Sequence, residues 1–301
     1  MFKGIDVISF TKKFFNNDSC YRYLMDIKWG KGYQCSRCGC EKSKKGRTCY
    51  YLRCTSCGYD ESVTANTVFH SIKMPMLKAF HMAFRVATKT KGMSTVELGN
   101  EVGVQQKTAW LFKRKLQAVM EEGGKDKLKG NVDVDEMLVG GYSEGNPGRS
   151  LETKSAVMVS VEKLGDGKTG NVNFAHLENF EAMTMKIAVK ESIDTQAHIR
   201  SDKHRSYEAI KGEFENFETV PSAKGGNFEE LHEQIMLFKN WLRGIHHKCS
   251  KKHLDAYLDE YKYRFNKRNM RPWIFNDLIG RLMQTEPKPY PVLKAIGEHY
   301  T

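Results

Sequence analysis

The chain has 301 residues, of which 40% are apolar and 28% are charged, and its formal net charge is +12. These values are typical of a globular protein of about two domains and exclude a fibrous or wholly disordered chain. No apolar run approaches the roughly 18 residues of a membrane helix, and residues 1–11 lack a signal-peptide core. The sequence therefore predicts a cytoplasmic protein without a membrane partner.

The charge is unevenly distributed along the chain. Residues 1–120 hold 21 basic and 8 acidic side chains, residues 121–240 hold 15 and 22, and residues 241–301 hold 12 and 6. Basic blocks attract polyanions such as nucleic acids through counterion release. An acidic block between them suggests carboxylates that serve another purpose, such as binding a metal. Uneven surface charge without any nucleic-acid partner is the alternative.

Six of the eight cysteines lie within residues 35–57, in an arrangement typical of a zinc ribbon. Cys35 and Cys38 form one C-x-x-C motif, and Cys54 and Cys57 form a second after fifteen intervening residues. Each such turn points two thiolates at one tetrahedral ion, so four-cysteine structural zinc is expected. A disulfide framework is the alternative, which the intracellular context and the chain's size disfavour. Two cysteines in this region are surplus to such a site: Cys40 and Cys49.

Residues 75–118 carry the spacing of helices. Ser94 to Glu97 is a capping-box signature for a short helix that ends near Gly103, and a basic helix follows from Gln105 to Met120. Two helices joined at a glycine turn indicate a helix-turn-helix, whose last helix enters a DNA major groove. The predicted DNA contacts are Lys107, Trp110, Lys113 and Arg114. A plain three-helix connector with a solvated basic face is the alternative.

The next segment changes to the alternating period of strands. The predicted strands are residues 131–135, 155–161, 171–175, 198–202 and 214–220. Predicted helices cover residues 180–191, 228–243 and 250–268. The order of these elements indicates a mixed α/β domain.

Two aspartates stand at or near predicted strand ends. Asp135 ends or nearly ends the first strand, and Asp202 ends the fourth. If these strands are neighbours, the two carboxylates can share Mg²⁺ or Mn²⁺, and such ions support phosphoryl transfer. Aspartates are also common in turns, and Asp133, on the same strand face as Asp135, is an alternative ligand.

Four motifs carry a resemblance to bacterial insertion-sequence transposases that have an N-terminal zinc ribbon and a ribonuclease-H-like, DDE-type catalytic domain. They are VDVDEMLVGG (132–141), SDKHRSY (201–207), KNWLRGIHH (239–247) and SKKHLDAYLDEYKYRFNKR (250–268). The resemblance implies that the protein binds double-stranded DNA as a homodimer or larger assembly. It further implies hydrolysis at element ends, followed by attack of a 3′-hydroxyl on target DNA.

The resemblance also assigns individual residues. Asp135 and Asp202 match the first two metal-binding carboxylates, and Lys239 matches the lysine that follows the third catalytic residue. That third residue is glutamate, asparagine or histidine in the family. This chain departs from the family's motif at that third residue. The alternative function is therefore a catalytically inactive DNA-binding protein derived from a transposase.

The candidates for the third position are His232 and Glu233, and the alternative is that neither residue fills it. A carboxylate is the usual hard ligand for magnesium, which favours Glu233. Helix geometry favours His232, because it flanks the apolar face marked by Leu231 and stands seven residues before Lys239, on the same stripe. We therefore predict His232 as the third catalytic residue.

The expected domains are a zinc ribbon (1–70), a helix-turn-helix segment (71–122), a catalytic domain (130–270) and a C-terminal tail (271–301). The glycine-rich segment 140–148 is either a loop that touches DNA or a simple hairpin loop. The predicted fold is an α/β ribonuclease-H-like mixed sheet with flanking helices, preceded by the ribbon and the helix-turn-helix.

Overall fold

A computed structural model describes residues 1–121, 127–140, 151–246 and 249–295 of the chain. The chain divides into two compact units. The first unit contains Met1–Val119 and Met270–Leu293, and the second contains Met120–Asn269. Within the described ranges, no helix is long and apolar enough to cross a membrane. The glycine-rich segment 140–148 lies, apart from Gly140, outside the described residues.

The helices and strands of the described residues are numbered in chain order. The helices are α1 (Val7–Lys13), α2 (Asn17–Trp29), α3 (Met76–Thr88), α4 (Thr95–Val102), α5 (Gln106–Glu121), α6 (Ala182–Ser192), α7 (Arg205–Ile210), α8 (Glu229–Ile245), α9 (Lys251–Asn266), α10 (Ile274–Gln284) and α11 (Tyr290–Ala295). The strands are β1 (Ser43–Lys45), β2 (Tyr51–Cys54), β3 (Asp60–Ser62), β4 (Asn131–Gly140), β5 (Lys154–Lys163), β6 (Thr169–Leu177), β7 (His198–Ser201) and β8 (Phe217–Thr219).

The first unit begins with a small ribbon between α2 and α3. Strands β1, β2 and β3 form an antiparallel sheet in that order. Gly39 and Gly58 each follow a C-x-x-C motif, with φ of 72° and 71°. Only glycine adopts this left-handed conformation without steric cost, so both tight turns depend on it.

The helix-turn-helix is present in the first unit as predicted. The Ser94 hydroxyl oxygen accepts a hydrogen bond of 3.1 Å from the backbone N–H of Glu97 at the start of α4. Helix α4 ends at Gly103, whose φ of 68° is left-handed, and α5 follows. Ser94 is therefore the N-cap of α4 and Gly103 ends the helix, as the sequence predicts.

The C-terminal segment differs from the tail that the sequence predicts for residues 271–301. Residues 274–284 form α10, which belongs to the first unit. Phe275 is fully buried there, with its ring centroid 5.5 Å from Phe10 and 5.8 Å from Phe80. The amphipathic spacing of the buried side chains of α10 is the physical reason, because such a stripe needs a core to cover it.

The second unit is built on a five-stranded mixed sheet with the order β6-β5-β4-β7-β8. Strands β4, β5 and β6 are antiparallel neighbours, whereas β7 and β8 run parallel to β4. Helices α6 and α7 pack on one apolar face, and α8 and α9 pack on the other. The predicted α/β class and the ribonuclease-H-like sheet with flanking helices are confirmed.

Strand β4 is longer than the sequence predicts. It continues to Gly140, so Asp135 lies in its middle and not at its end. Met137 and Val139 are buried against α8 and α9, on the same face as Asp135. The charged Glu136 interrupts the alternation of apolar side chains, which is why the sequence pattern ends too early.

Candidate active site and zinc cluster

The two predicted aspartates meet in the second unit. Strands β4 and β7 pair in parallel with Val134 opposite Ser201, so Asp135 and Asp202 follow at adjacent positions. One carboxylate oxygen from each of Asp135, Glu136 and Asp202 lies within 4.8 Å of the others. The condition stated for a shared metal site, that these two strands are neighbours, is therefore met. We call these three residues the acid cluster.

The environment of Asp135 works against its ionisation. Burial raises the pKa of Asp135, and the nearby Asp202 carboxylate raises it further. The backbone N–H of Glu136, which donates to Asp135 Oδ1 at 2.8 Å, and the His232 side chain oppose this shift. A cation between the carboxylates would relieve both unfavourable effects.

Glu136 is a member of the acid cluster that the sequence analysis missed. Its side chain is only 3% exposed, and His204 Nδ1 lies 4.0 Å from its Oε1. The fully buried Tyr207 hydroxyl has its pKa raised well above the usual value by burial and by the Glu136 carboxylate. Alternation along β4 gives Glu136 the opposite face from Asp135, so no pattern in the sequence pointed to it.

His232 reaches the acid cluster from α8. Its Nε2 lies 3.3 Å from Asp135 Oδ2, whereas the next residue, Glu233, is exposed. Leu231 is fully buried, as the predicted apolar face of this helix requires. The structure thus brings His232, and not Glu233, to Asp135.

Gly225 makes room for the His232 ring. A Cβ at Gly225 would lie 2.6 Å from His232 Nδ1, which is closer than real contacts allow. The φ of Gly225 is +94°, a backbone conformation that favours glycine. The sequence analysis missed this residue, because the contact appears only when the loop before α8 is folded.

Lys239 lies beside the same site. A cavity of about 300 Å³ is lined by Asp135, Glu136, His232 and Lys239, together with apolar neighbours. Burial and the neighbouring Arg243 guanidinium lower the pKa of Lys239, while Asp135 raises it. The cavity therefore combines carboxylate oxygens, one imidazole and one ammonium group, and its oxygens and imidazole nitrogen are ligands that fit a divalent cation.

Asp133 faces a different environment from Asp135. Arg200 and Lys163 lie within ion-pairing distance of its carboxylate, and it is not part of the acid cluster. Asp133 is therefore a partner of cationic side chains, and the alternative that it replaces Asp135 as a ligand has no geometric support.

The four predicted zinc ligands meet at one point in the first unit. Sγ of Cys35 lies 3.6 Å from Sγ of Cys57, and Sγ of Cys38 lies 3.5 Å from Sγ of Cys54. A tetrahedral zinc ion with Zn–S bonds of about 2.3 Å places its sulfur ligands roughly 3.8 Å apart, so the arrangement fits zinc. Among the described residues, this cluster contains neither of the surplus cysteines, Cys40 and Cys49.

Cys35 is prepared to act as a thiolate. Burial raises the pKa of its thiol, but hydrogen bonds from the backbone N–H groups of Arg37 and Cys38, together with the Tyr33 and Cys57 side chains, lower the pKa to about 6. The thiolate is the form that binds zinc, so Cys35 is ready to bind it near neutral pH.

The predicted DNA contacts on α5 are only partly accessible. Lys107 is exposed and Trp110 is half-buried, with its ring 6.4 Å from that of Tyr290. Lys113 is 2% exposed and its Nζ donates to the backbone oxygen of Met93 at 2.7 Å. Arg114 is 7% exposed, with NH1 3.4 Å from Gln117 Oε1.

The predicted contacts at Lys113 and Arg114 are therefore corrected. Both side chains are used inside the fold, and a phosphate cannot reach a buried ammonium or guanidinium group. The spacing of the basic residues along α5 does not reveal which of them face solvent and which are buried.

Comparisons with known proteins agree with these two sites. The family described as "ISXO2-like transposase domain" matches residues 127–266, and the family described as "Transposase zinc-ribbon domain" matches residues 16–60. A comparison with curated proteins gives no match.

Among solved structures, the crystal structure of the Mos1 strand transfer complex is 11% identical, with a TM-score of 0.30, and the match covers 70% of this chain and 78% of that chain. The Mos1 transposase paired-end complex with left transposon end is also 11% identical, with a TM-score of 0.29, covering 69% and 79%.

The two family matches occupy the same regions as the cysteine cluster and the acid cluster, and together they cover more than half of the chain. The chain belongs to the insertion-sequence transposases that combine a transposase zinc ribbon with an ISXO2-like transposase domain.

Proposed function

We propose that this transposase binds the ends of its element as double-stranded DNA, cleaves them, and joins their 3′-hydroxyl ends to target DNA. The observation that carries the proposal is that Asp135 lies beside both Asp202 and His232 and lines one cavity together with His232 and Lys239. Two DNA ends must be brought together for joining, so we expect a homodimer or larger assembly on DNA.

The proposed chemistry is metal-dependent phosphoryl transfer. Asp135, Asp202 and His232 would hold Mg²⁺ or Mn²⁺, which activates the attacking oxygen and stabilises the leaving oxygen. In joining, the 3′-oxygen loses its proton and forms a new bond to phosphorus, and a target-strand P–O bond breaks to leave a 3′-hydroxyl. The Lys239 ammonium would bind a non-bridging phosphate oxygen and orient the phosphate in the cavity.

We also propose that Cys35, Cys38, Cys54 and Cys57 bind one structural zinc ion. Four thiolates complete a tetrahedral site and leave no position for a substrate. Elemental analysis of protein purified under reducing conditions should find one zinc per chain. Replacing Cys54 with serine should abolish it, and zinc that persists in this variant would argue against the assignment.

The ribbon also supplies a candidate DNA-binding surface, which we call the basic hairpin and define by its exposed residues Lys42, Lys44, Lys45, Arg47 and Arg53. Lys44 stands directly opposite Arg53 across β1 and β2. Like charges at such positions repel each other; the Asp60 carboxylate, 3.5 Å from Arg53 NH2, compensates part of this repulsion, and a phosphate backbone would relieve the rest. This favours the hairpin over the buried part of α5 as the place where DNA binds.

The experiment is a strand-transfer assay with labelled element ends in Mg²⁺ and in Mn²⁺. We expect wild-type protein to join the ends to target DNA and the Asp135→Asn and Asp202→Asn variants to lose joining while retaining DNA binding. Asp166→Asn is the matched control, because Asp166 is exposed in a turn at a φ of 51°, which asparagine also tolerates.

Two results would contradict the proposal. Joining that persists in Asp135→Asn would remove that residue from the site. DNA binding by the wild type without cleavage or joining in either metal would instead support the alternative, a catalytically inactive DNA-binding protein.

A further inference from the structure

Four charged side chains form a connected network next to the acid cluster. Lys163 Nζ lies 3.5 Å from Asp133 Oδ2 and 3.1 Å from Glu230 Oε2. Arg200 Nε lies 3.0 Å from Asp133 Oδ1 on the other side of the same carboxylate. The network therefore joins β4, β5 and β7 of the sheet to the first turn of α8.

Three members of this network stand two residues before a residue of the candidate active site. The pairs are Asp133 and Asp135 on β4, Arg200 and Asp202 at β7, and Glu230 and His232 on α8. Residues two apart on a strand point to the same face of the sheet. Asp133 and Arg200, which pair across β4 and β7, thus lie on the same face of the sheet as Asp135, the face that carries α8.

A second contact ties the network to the start of α8. Arg200 NH2 donates a hydrogen bond of 2.7 Å to the backbone oxygen of Asn227, just before the helix, and its guanidinium lies 5.5 Å from the Phe228 ring. The Asp133 side chain is only 1% exposed. A carboxylate this deeply buried needs its cationic partners in fixed positions, so the elements that carry them are constrained as well.

We propose that Asp133, Lys163, Arg200 and Glu230 are positioning residues that set the distance between His232 and the two catalytic aspartates. The inference rests on the proposed function only in taking His232 as a metal ligand. His232 comes from a helix, whereas Asp135 and Asp202 come from paired strands, so hydrogen bonds of the sheet cannot align it. Lys163 and Arg200 align His232 by holding the start of α8. Lys163 pairs with Glu230 in the first turn, and Arg200 donates to the backbone oxygen of Asn227 just before the helix.

The test compares two neighbouring glutamates in the full-length protein. Glu230→Gln removes the network's charge on α8, and Glu229→Gln is the matched control, because Glu229 is exposed in the same turn. Binding of Mn²⁺ alone is measured by electron paramagnetic resonance, and strand transfer and thermal unfolding are measured on the same samples. We expect Glu230→Gln to weaken Mn²⁺ binding about 10–100-fold, as the loss of an outer-shell partner does elsewhere.

The rate of strand transfer by Glu230→Gln should fall while its KM for DNA stays the same, and Glu229→Gln should match the wild type. A second pair of variants guards against misfolding: Lys163→Arg should retain Mn²⁺ affinity, and Lys163→Gln should lose it. Unchanged Mn²⁺ binding in Glu230→Gln, even with a lower unfolding temperature, would overturn the inference by reducing the network to a structural role.

The two proposals fail in different ways. A wild-type protein that binds Mn²⁺ but joins no DNA would contradict the proposed function. The comparison of Mn²⁺ affinity between Glu230→Gln and Glu229→Gln would still decide whether the network positions His232.

Discussion

His232 and Glu233 are adjacent in sequence, yet they have different surroundings in the structure. The 3.3 Å contact between His232 Nε2 and Asp135 Oδ2 depends on the rotation of α8, which turns Glu233 outward. A one-residue difference on a helix rotates a side chain by about 100°, enough to remove it from the site. The rotation of α8 about its axis therefore determines which of the two side chains fills the third position.

The paired variants His232→Ala and Glu233→Gln test which of the two side chains of α8 acts in the candidate active site. We expect His232→Ala to reduce strand transfer by more than the roughly 10–100-fold that loss of an outer-shell partner costs, because a direct ligand is removed. Glu233→Gln should retain the wild-type rate. The assay is joining of pre-cleaved ends, and the reverse pattern would contradict the assignment of His232.

A second residue-scale prediction concerns Asp259 on α9. Burial raises its pKa to about 7, although the Lys262 ammonium 3.3 Å away lowers it. The folded protein therefore binds a proton that the unfolded chain, with a pKa near 3.8, releases at lower pH. This group's contribution makes the free energy of unfolding decrease as pH rises from about 4 to 7, and the loss is complete above the folded pKa.

Replacing Asp259 with asparagine should remove this dependence. The free energy of unfolding of Asp259→Asn minus that of the wild type should be larger at pH 8 than at pH 5, by roughly 1–3 kcal/mol. Urea unfolding at the two pH values measures the difference, and Asp166→Asn serves as the exposed control. A stability difference that is the same at both pH values would show that Asp259 does not titrate in this range.

At the scale of elements, the basic hairpin of the ribbon presents more exposed cations than helix α5, where the sequence analysis placed the DNA contacts. The hairpin's lysines and arginines are exposed, whereas Lys113 and Arg114 on α5 are buried. Exposed cations release counterions when they meet phosphates, and buried ones do not. The salt dependence of DNA binding therefore identifies the surface that is used.

The double variant Lys44→Gln/Lys45→Gln should lower the affinity for DNA and reduce the slope of log K against log salt by about two. The matched control is Lys12→Gln/Lys13→Gln, which removes the same charge from the exposed end of α1. Fluorescence anisotropy with duplex DNA at several salt concentrations gives both slopes. Equal slopes for the two variants would exclude the hairpin.

Much of the fold was predictable because its signals are local. The Ser94 cap, the Gly103 stop and the two C-x-x-C motifs depend on residues near one another in the chain. Alternation predicted the strands of the sheet, although β4 continues past Glu136 because Met137 and Val139 still face a core.

The rest of the candidate site depends on contacts between distant residues. Glu136 joins the acid cluster through the pairing of β4 with β7, and Gly225 matters only once the His232 ring lies against it. The pairing of Lys163 with Glu230 requires a strand and a helix that are far apart in the sequence. Periodicity carries no information about such pairs, and this is why the network was not predicted.

At the scale of the whole molecule, the first unit is discontinuous in sequence. Its core includes Phe275 of α10, which packs against Phe10, Phe80 and Phe84 from the beginning of the chain. The residues between, Met120–Asn269, form the second unit. The stability of the N-terminal part therefore depends on a helix that the sequence presents as a tail.

Phe275→Ala should destabilise the first unit by about 3–5 kcal/mol, the usual cost of removing a buried aromatic ring. We expect calorimetry to show one transition lowered in temperature while the transition of the second unit is unchanged. The exposed Met270→Ala in the same segment is the control. An unchanged calorimetric profile would mean that α10 contributes little to the core of the first unit.

The discontinuity of the first unit has a consequence for synthesis on the ribosome. Phe10, Phe14, Phe80 and Phe84 leave the ribosome early, but Phe275 follows only after the whole second unit has been made. At translation rates of about 5–20 residues per second, the wait between Phe84 and Phe275 is roughly 10–40 s. The N-terminal half is therefore completed last, and a nascent chain carries an uncovered aromatic cluster while its catalytic sheet can already fold.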